Sequence, residues 1–184
     1  MNENLFGILR CFQLDGEPVV CQPYGCGHIN STYLVETNCG RRYILQRINH
    51  NTFKDVAALM ENITAVTEFL RKKAEDPRSV LTLIKTKSGE SYLYAQATYW
   101  RVNEFTENSI CLQTPETDED FYQSAIGFGT FQHMLADFPA EELHETIKNF
   151  HNTKSRFDTF KKALEEDVAD RAKYVKDEIQ FVLD

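Results

Sequence analysis

The sequence predicts an α+β fold, an antiparallel sheet with one helix followed by a helical segment. Three observations carry this. "INSTYLVET" and "RRYILQRIN" both alternate apolar and polar residues around the turn residues "NCG", the pattern of two antiparallel strands. From Lys54 to Arg71 the apolar residues recur at helical spacing. Strand patterns dominate before about residue 105, and helical stripes after it.

In chain order, Leu5, Ile8, Leu9 and Phe12 form a short amphipathic opening, and Gly16 and Pro18 lead into the apolar run "VVCQP", a first strand. In the next strand Tyr33 and Val35 face opposite to Thr32 and Leu34. The helix uses Val56, Leu59, Met60, Ile63, Val66 and Leu70 as its buried stripe. Thr52 with Asp55 resembles a capping box at its start, and Asp76 with Pro77 ends it. "SVLTLIKT", "SYLYA" and "TYWRVNEF" supply further strands around the turn "KSGE". Thr117 and Asp120 again resemble a capping box, and the acidic run 116–120 complements the dipole of a helix running to about Asp137 through Phe121, Ala125, Phe128, Phe131 and Leu135. Gly127 and Gly129 inside that helix imply close approach of another backbone. "AEELHETIKNFH" reads as a shorter helix with Leu143, Ile147 and Phe150 inward. From Lys154 an apolar stripe (Phe157, Phe160, Leu164, Val168, Ala172, Val175, Ile179, Val182) runs on to the last turn and expects more protein to pack upon it.

At 184 residues and 42% hydrophobic content the chain suffices for one sizeable domain or two small lobes. Twenty Lys and Arg against 28 Asp and Glu give a net charge of −8, with no basic block to track a phosphodiester backbone, so nucleic acid is not an expected partner. The absence of an apolar run of membrane length and of a basic leader region argues against a membrane and for a cytoplasmic setting. The odd number of cysteines (Cys11, Cys21, Cys26, Cys39, Cys111), without a C-x-x-C pair, reads as reduced packing residues. Cys21, Cys26 and His28 lack the second ligand pair of a structural zinc site.

The stretch "PYGCGHINSTYLVET" carries the chemistry. Amides in a glycine-rich turn between strands can point at phosphate oxygens, because glycine permits the dihedrals and the close approach. A tight structural turn is the alternative for a bare G-x-G. A strand follows the glycines, so this is not a dinucleotide fingerprint, and no G-K-[ST] ends it, so it is not a Walker A loop. The protein-kinase arrangement remains, with a glycine turn in a hairpin, a cation on the next strand and a carboxylate on the following helix. "RRYILQRIN" holds no lysine. Arg47 is one candidate for the cation and Gln46, on the opposite face, is its neighbouring choice. Glu61 is the helix carboxylate, and solvated surface charge is the alternative reading of Arg47 and Glu61. "YWRVNEFTEN" fits a hinge with Asn103, Glu104 and Phe105, and Leu34, Ile44 and Leu45 are candidates to cover a base. Tyr92, Tyr94, Tyr99 and Trp100 read as core and rim of the sheet, and His28 as a surface or capping group with phosphate contact as its alternative.

Taken together, "GCGHINSTYLV" (25–35), "RYILQRIN" (42–49), "YWRVNEF" (99–105) and "FHNTKSRFDTFKKAL" (150–164) resemble the aminoglycoside phosphotransferase and choline kinase superfamily, and within it the N-acetylhexosamine 1-kinase-like members. The resemblance implies a protein-kinase-like fold, with a nucleotide-binding lobe over 1–105 and the start of a helical lobe over 106–184. It implies ATP, Mg2+ and γ-phosphoryl transfer to a hydroxyl of a sugar-like small molecule; choline, ethanolamine, homoserine and methylthioribose are alternative acceptors. By the same resemblance Gly25, Gly27, His28, Asn30, Ser31 and Thr32 lie over the triphosphate, Gln46 or Arg47 lies near it, Glu61 supports that strand, Asn103 to Phe105 form the hinge, and 150–157 borders the acceptor. One departure stands out. The superfamily's H-x-D-x-x-x-x-N loop and downstream Asp have no match in residues 106–184: His133 and His144 lack an Asp two places on, and Asp158, seven places after His151, has no Asn following it. The expectation is therefore an N-terminal portion whose catalytic and metal residues lie beyond residue 184, inactive alone. The competing expectation is a non-catalytic α+β module that dimerises through its helical stripe.

Overall fold

The computed structural model describes residues 4–184, which separate into two compact units, one ending at Thr146 and the other comprising Ile147–Asp184. In the first, helix α1 (Leu5–Leu9) precedes strands β1 (Pro18–Pro23), β2 (Ser31–Thr37) and β3 (Arg42–Ile48), helix α2 (Val56–Arg71), strands β4 (Leu83–Ile84), β5 (Leu93–Ala95) and β6 (Thr98–Glu104), and helix α3 (Asp118–Met134). The sheet is antiparallel in the order β1-β2-β3-β6-β4, with β5 also pairing to β6.

The pleat explains the layers. Register places Tyr33, Leu45 and Val102 in one row and Val35 and Tyr43 beside them; with Trp100 these form an apolar face on which Ile8, Leu9 and Phe12 pack. Alternate residues point the other way, and there Ile48 and Tyr99 meet Val56 and Met60 of α2. Leu45 therefore belongs to the α1 core and is withdrawn as a cover for a base, whereas Leu34 and Ile44, paired to each other, share the α2-facing side. Trp100 is core as expected, at 0% exposure; Tyr92 and Tyr99 pack around α2, and Tyr94 is exposed.

Asp55, rather than Thr52, caps α2: its carboxylate accepts from the Ala58 amide at 2.9 Å. No box forms because the methyl group of Ala58, three residues on, cannot return the bond. At the far end the Phe69 ring meets Phe138 edge-on at 5.1 Å, and Lys73 pairs with Asp137, so the segment after α3 is fastened to α2. The Thr117–Asp120 capping box of α3 is present with both bonds. Its apolar residues do not form a buried stripe among the described residues: Phe128 is 71% exposed, and a Cβ at Gly127 or Gly129 would meet nothing within 4 Å, which removes the expected close backbone approach. The helix expected around Leu143 and Phe150 shrinks to a 3-10 turn at Ala140–Glu142, with both apolar side chains exposed.

In the second unit, α4 (Thr153–Glu166) is capped by Asn152, whose side chain accepts from the Ser155 amide, and Phe157 and Phe160 stack on it. The expected continuous stripe to Val182 is broken. Asp167 and Asp170 adopt positive φ of 29° and 51°, and the Asp167 carboxylate accepts from the Arg171 and Ala172 amides, turning the chain before α5 (Lys176–Leu183). Asp readily bonds nearby amides outside a helix, which is why it halts one.

The cysteines are free, but Cys11, Cys26, Cys39 and Cys111 are exposed rather than packed, leaving Cys21 half-buried. Burial pushes the Cys21 thiol up to about 11, while the hydrogen bond with Thr37 pulls the Cys39 thiol below its ordinary value. Thiolate is the reactive form, so iodoacetamide at pH 8 is expected to alkylate Cys39 well before Cys21, read by peptide mass spectrometry; equal rates would contradict the packing described. A second expectation concerns the cap: Asp55→Ala should cost about 1 kcal/mol in urea unfolding and Thr52→Ala a few tenths at most.

Candidate nucleotide-phosphate site

The turn between β1 and β2 is tied down by side chains and open along its backbone. Asn30 Oδ1 accepts from the Asn49 amide at 2.9 Å, Ser31 Oγ accepts from Arg47 Nη2 at 2.9 Å, and Thr32 Oγ1 accepts from Gln46 Nε2 at 3.1 Å. All three polar residues thus clamp the turn, two to β3 and Asn30 to the residue that follows it. Tyr24 closes its base, its amide donating to the Thr32 carbonyl. Among the described residues the amides of Gly25 to Asn30 donate no backbone hydrogen bond. Gly25 holds φ +76°, a conformation that suits glycine, and a Cβ at Gly25 or Gly27 would meet nothing within 4 Å. Space and unused donors coincide, which is what an anion needs. His28 is exposed, within this turn.

Below the turn, the α2-facing side of the sheet carries a polar row. Thr32, Gln46 and Arg101 stand opposite one another on β2, β3 and β6. Arg101 donates to Gln46 Oε1 from Nε at 3.0 Å and Nη2 at 2.8 Å. A guanidinium has donors only, so the amide must turn its oxygen to Arg101 and its NH2 to Thr32. Arg101 is half-buried, and desolvation draws its pKa below the ordinary arginine value. Arg47, one residue from Gln46, lies on the opposite side with Ser31. Of the two β3 candidates, the α2-facing side therefore receives Gln46.

Glu61, on α2, is not brought to Gln46 or Arg47. Its Oε2 lies 2.7 Å from His144 Nε2, and the neighbouring Asn62 brackets the same residue, accepting from the His144 amide at 2.9 Å and donating to its carbonyl at 2.8 Å. The carboxylate thus anchors the segment after α3.

The next row, Leu34, Ile44, Asn103 and Leu83, is apolar except for Asn103. Asn103 is 4% exposed, and its Oδ1 has no hydrogen-bond partner among the described residues. A buried acceptor without a donor costs about 1–3 kcal/mol, so such atoms mark places where another group is expected. Beyond it the Glu104 amide donates to the Thr82 carbonyl, the Phe105 amide to the Arg42 carbonyl, and Glu104 pairs with Arg41 at 3.0 Å. The Phe105 ring contacts Tyr24 edge-on at 5.9 Å and lies 4.3 Å from the Arg42 guanidinium, joining the end of β6 to the base of the turn.

Sequence reasoning missed Arg101. The signal was present in the alternation of "TYWRVNEF": burying Trp100 and Val102 sends Arg101 and Asn103 to the same side. As for a metal, no three His, Cys, Asp or Glu side chains gather among the described residues, so nothing here is assigned to hold Mg2+. Among the described residues no helix is long and apolar enough to cross a membrane.

A glycine turn clamped over an antiparallel sheet with one helix beside it makes a kinase-like α+β fold. An aminoglycoside phosphotransferase from Alicyclobacillus acidocaldarius superimposes with a TM-score of 0.59 at 14% sequence identity, over 86% of this chain and 42% of that one. The chain therefore spans less than half the length of this structural neighbour. No protein-family model matches it.

The clamp is testable. Removing the Asn30 side chain orphans the Asn49 amide, and Asn30→Ala is expected to raise hydrogen exchange at Asn49 about fivefold, for a loss of about 1 kcal/mol. Unchanged protection would show that the turn is held otherwise.

Proposed function

We propose that residues 1–105 form the nucleotide-binding lobe of an ATP-dependent small-molecule phosphotransferase, with residues 106–184 beginning its helical lobe. The observation that carries this is the pairing of unused amides at Gly25 to Asn30 with the buried, unpartnered Asn103 Oδ1 on the sheet beneath. One suits phosphate oxygens; the other suits an exocyclic amino group such as that of adenine, between the apolar side chains of Leu34 and Ile44. The fold likeness to a phosphotransferase supports the class. The acceptor rests on the sequence resemblance alone and is a sugar hydroxyl, an N-acetylhexosamine first among the choices. Residues 106–184 contain no H-x-D-x-x-x-x-N loop, so this chain supplies nucleotide positioning, and transfer by it alone is not expected.

ATP at ten times its Kd is expected to stabilise the chain by about 1.4 kcal/mol, or roughly 3–6 °C in Tm. Asn103→Leu should weaken adenosine binding about tenfold by removing one hydrogen bond to the base.

One observation favours a second reading, a module that pairs with a second copy of itself: Phe121, Phe128 and Phe131 are all exposed on α3. A Tm that falls on dilution and ignores ATP would favour it.

A further inference from the structure

We propose that Arg101 of β6, and no residue of β3, is the cation that grips the phosphates of a nucleoside di- or triphosphate beneath the glycine turn. The inference rests on the nucleotide-lobe reading above and adds to it the residue that meets the charge.

Four features converge. Parity comes first: Trp100 and Val102 are fully buried against α1, which sends Arg101 to the α2-facing side, in one row with Gln46 and Thr32. Arg47 is on the other side. Second, the Arg101 hydrogen bonds go to a neutral amide oxygen, and among the described residues no carboxylate pairs with it. One N–H each from Nε and Nη2 is used, so the remaining three of its five donors have no protein acceptor there. Third, the group is half-buried, and desolvation already penalises its charged form. A guanidinium in such a place is stabilised by an anion, and its planar fork suits phosphate oxygens. Fourth, the relay ends at the turn. Thr32 Oγ1 accepts from Gln46, so its own hydroxyl hydrogen is left to donate, beside amides that donate nothing within the described chain.

A structural role for Arg101, merely fixing Gln46, would leave phosphate recognition untouched. The two roles separate when ligands with and without phosphates are compared on the 184-residue chain. Adenosine and ADP are titrated calorimetrically into wild type, Arg101→Gln and the double variant Gln46→Lys with Arg101→Gln. Wild type is expected to prefer ADP over adenosine by at least about tenfold, the scale of one charge-assisted hydrogen-bond set. Arg101→Gln should bring the two affinities within about threefold while adenosine binding holds, and the double variant, with a lysine on β3, should recover the preference. Retention of the full ADP preference by Arg101→Gln overturns the proposal. A readout without substitution guards against misfolding: the Arg101 Nε–H resonance of wild type is expected to shift on saturation with ADP or inorganic pyrophosphate and to stay put with adenosine. An Arg101 signal unmoved by ADP overturns the proposal as well. Failure of wild type to bind either ligand at millimolar concentration overturns the nucleotide reading itself, and is recognised by the loss of adenosine binding too.

Discussion

The arrangement of the larger unit depends on β6 burying Trp100 and Val102 completely on one side of the sheet. β6 is central, hydrogen-bonded to β3, β4 and β5. A shift of one residue would exchange its two faces and drive Arg101 and Asn103 into a core of Tyr43, Leu45 and α1 side chains. That penalty, an unpaired cation plus an unpaired amide in apolar surroundings, far exceeds what any single turn contributes. Register in β3 follows from β6, register in β2 from β3, and the position of the glycine turn from β2.

What β6 buries on one side dictates what it displays on the other. The α2-facing side is apolar where Ile48 and Tyr99 meet Val56 and Met60, and becomes polar two positions further along, at Gln46 and Arg101. Asn103 then stands between Ile44 and Leu83 with one oxygen unsatisfied. Keeping an unsatisfied amide there favours a site that is completed by a ligand over one optimised for stability.

The sheet and α2 were legible in the sequence because the sheet face that meets α1 and the α2 stripe that meets the sheet are apolar, which imposes a period of two or of 3.6 on those residues. The glycine turn was legible through its composition, though its clamp was not: nothing in the spacing says that Asn30 reaches back to the Asn49 amide. The helical region was read less well for a physical reason. Periodic phenylalanines in α3 announce a face meant to be covered, not what covers it, and among the described residues it is exposed. The break at Asp167–Asp170 was hidden inside a stripe that continues at the right spacing on both sides, since two Asp residues in an acidic segment read equally as solvated helix charge or as a stop. The choice between Gln46 and Arg47 is a choice of parity, and sequence fixes parity only once the buried neighbour on each side is known. Leu45 decides it.

A lysine at position 46, as protein kinases have in this strand, would face Arg101 directly across the β3–β6 pair. Two cations so placed on a half-buried surface repel, and neither would have a carboxylate to share, because Glu61 is engaged by His144. Glutamine removes the conflict and adds a link. Its oxygen takes two donors from Arg101, its NH2 reaches Thr32, and the guanidinium and the turn are joined through one amide whose orientation the donor-only Arg101 dictates. The glutamine on β3 and the arginine on the neighbouring strand thus form one hydrogen-bonded unit. Each half is intelligible only with the other: a glutamine without Arg101 would leave the row uncharged, and Arg101 without the glutamine would lose the acceptor that both its Nε and Nη2 use.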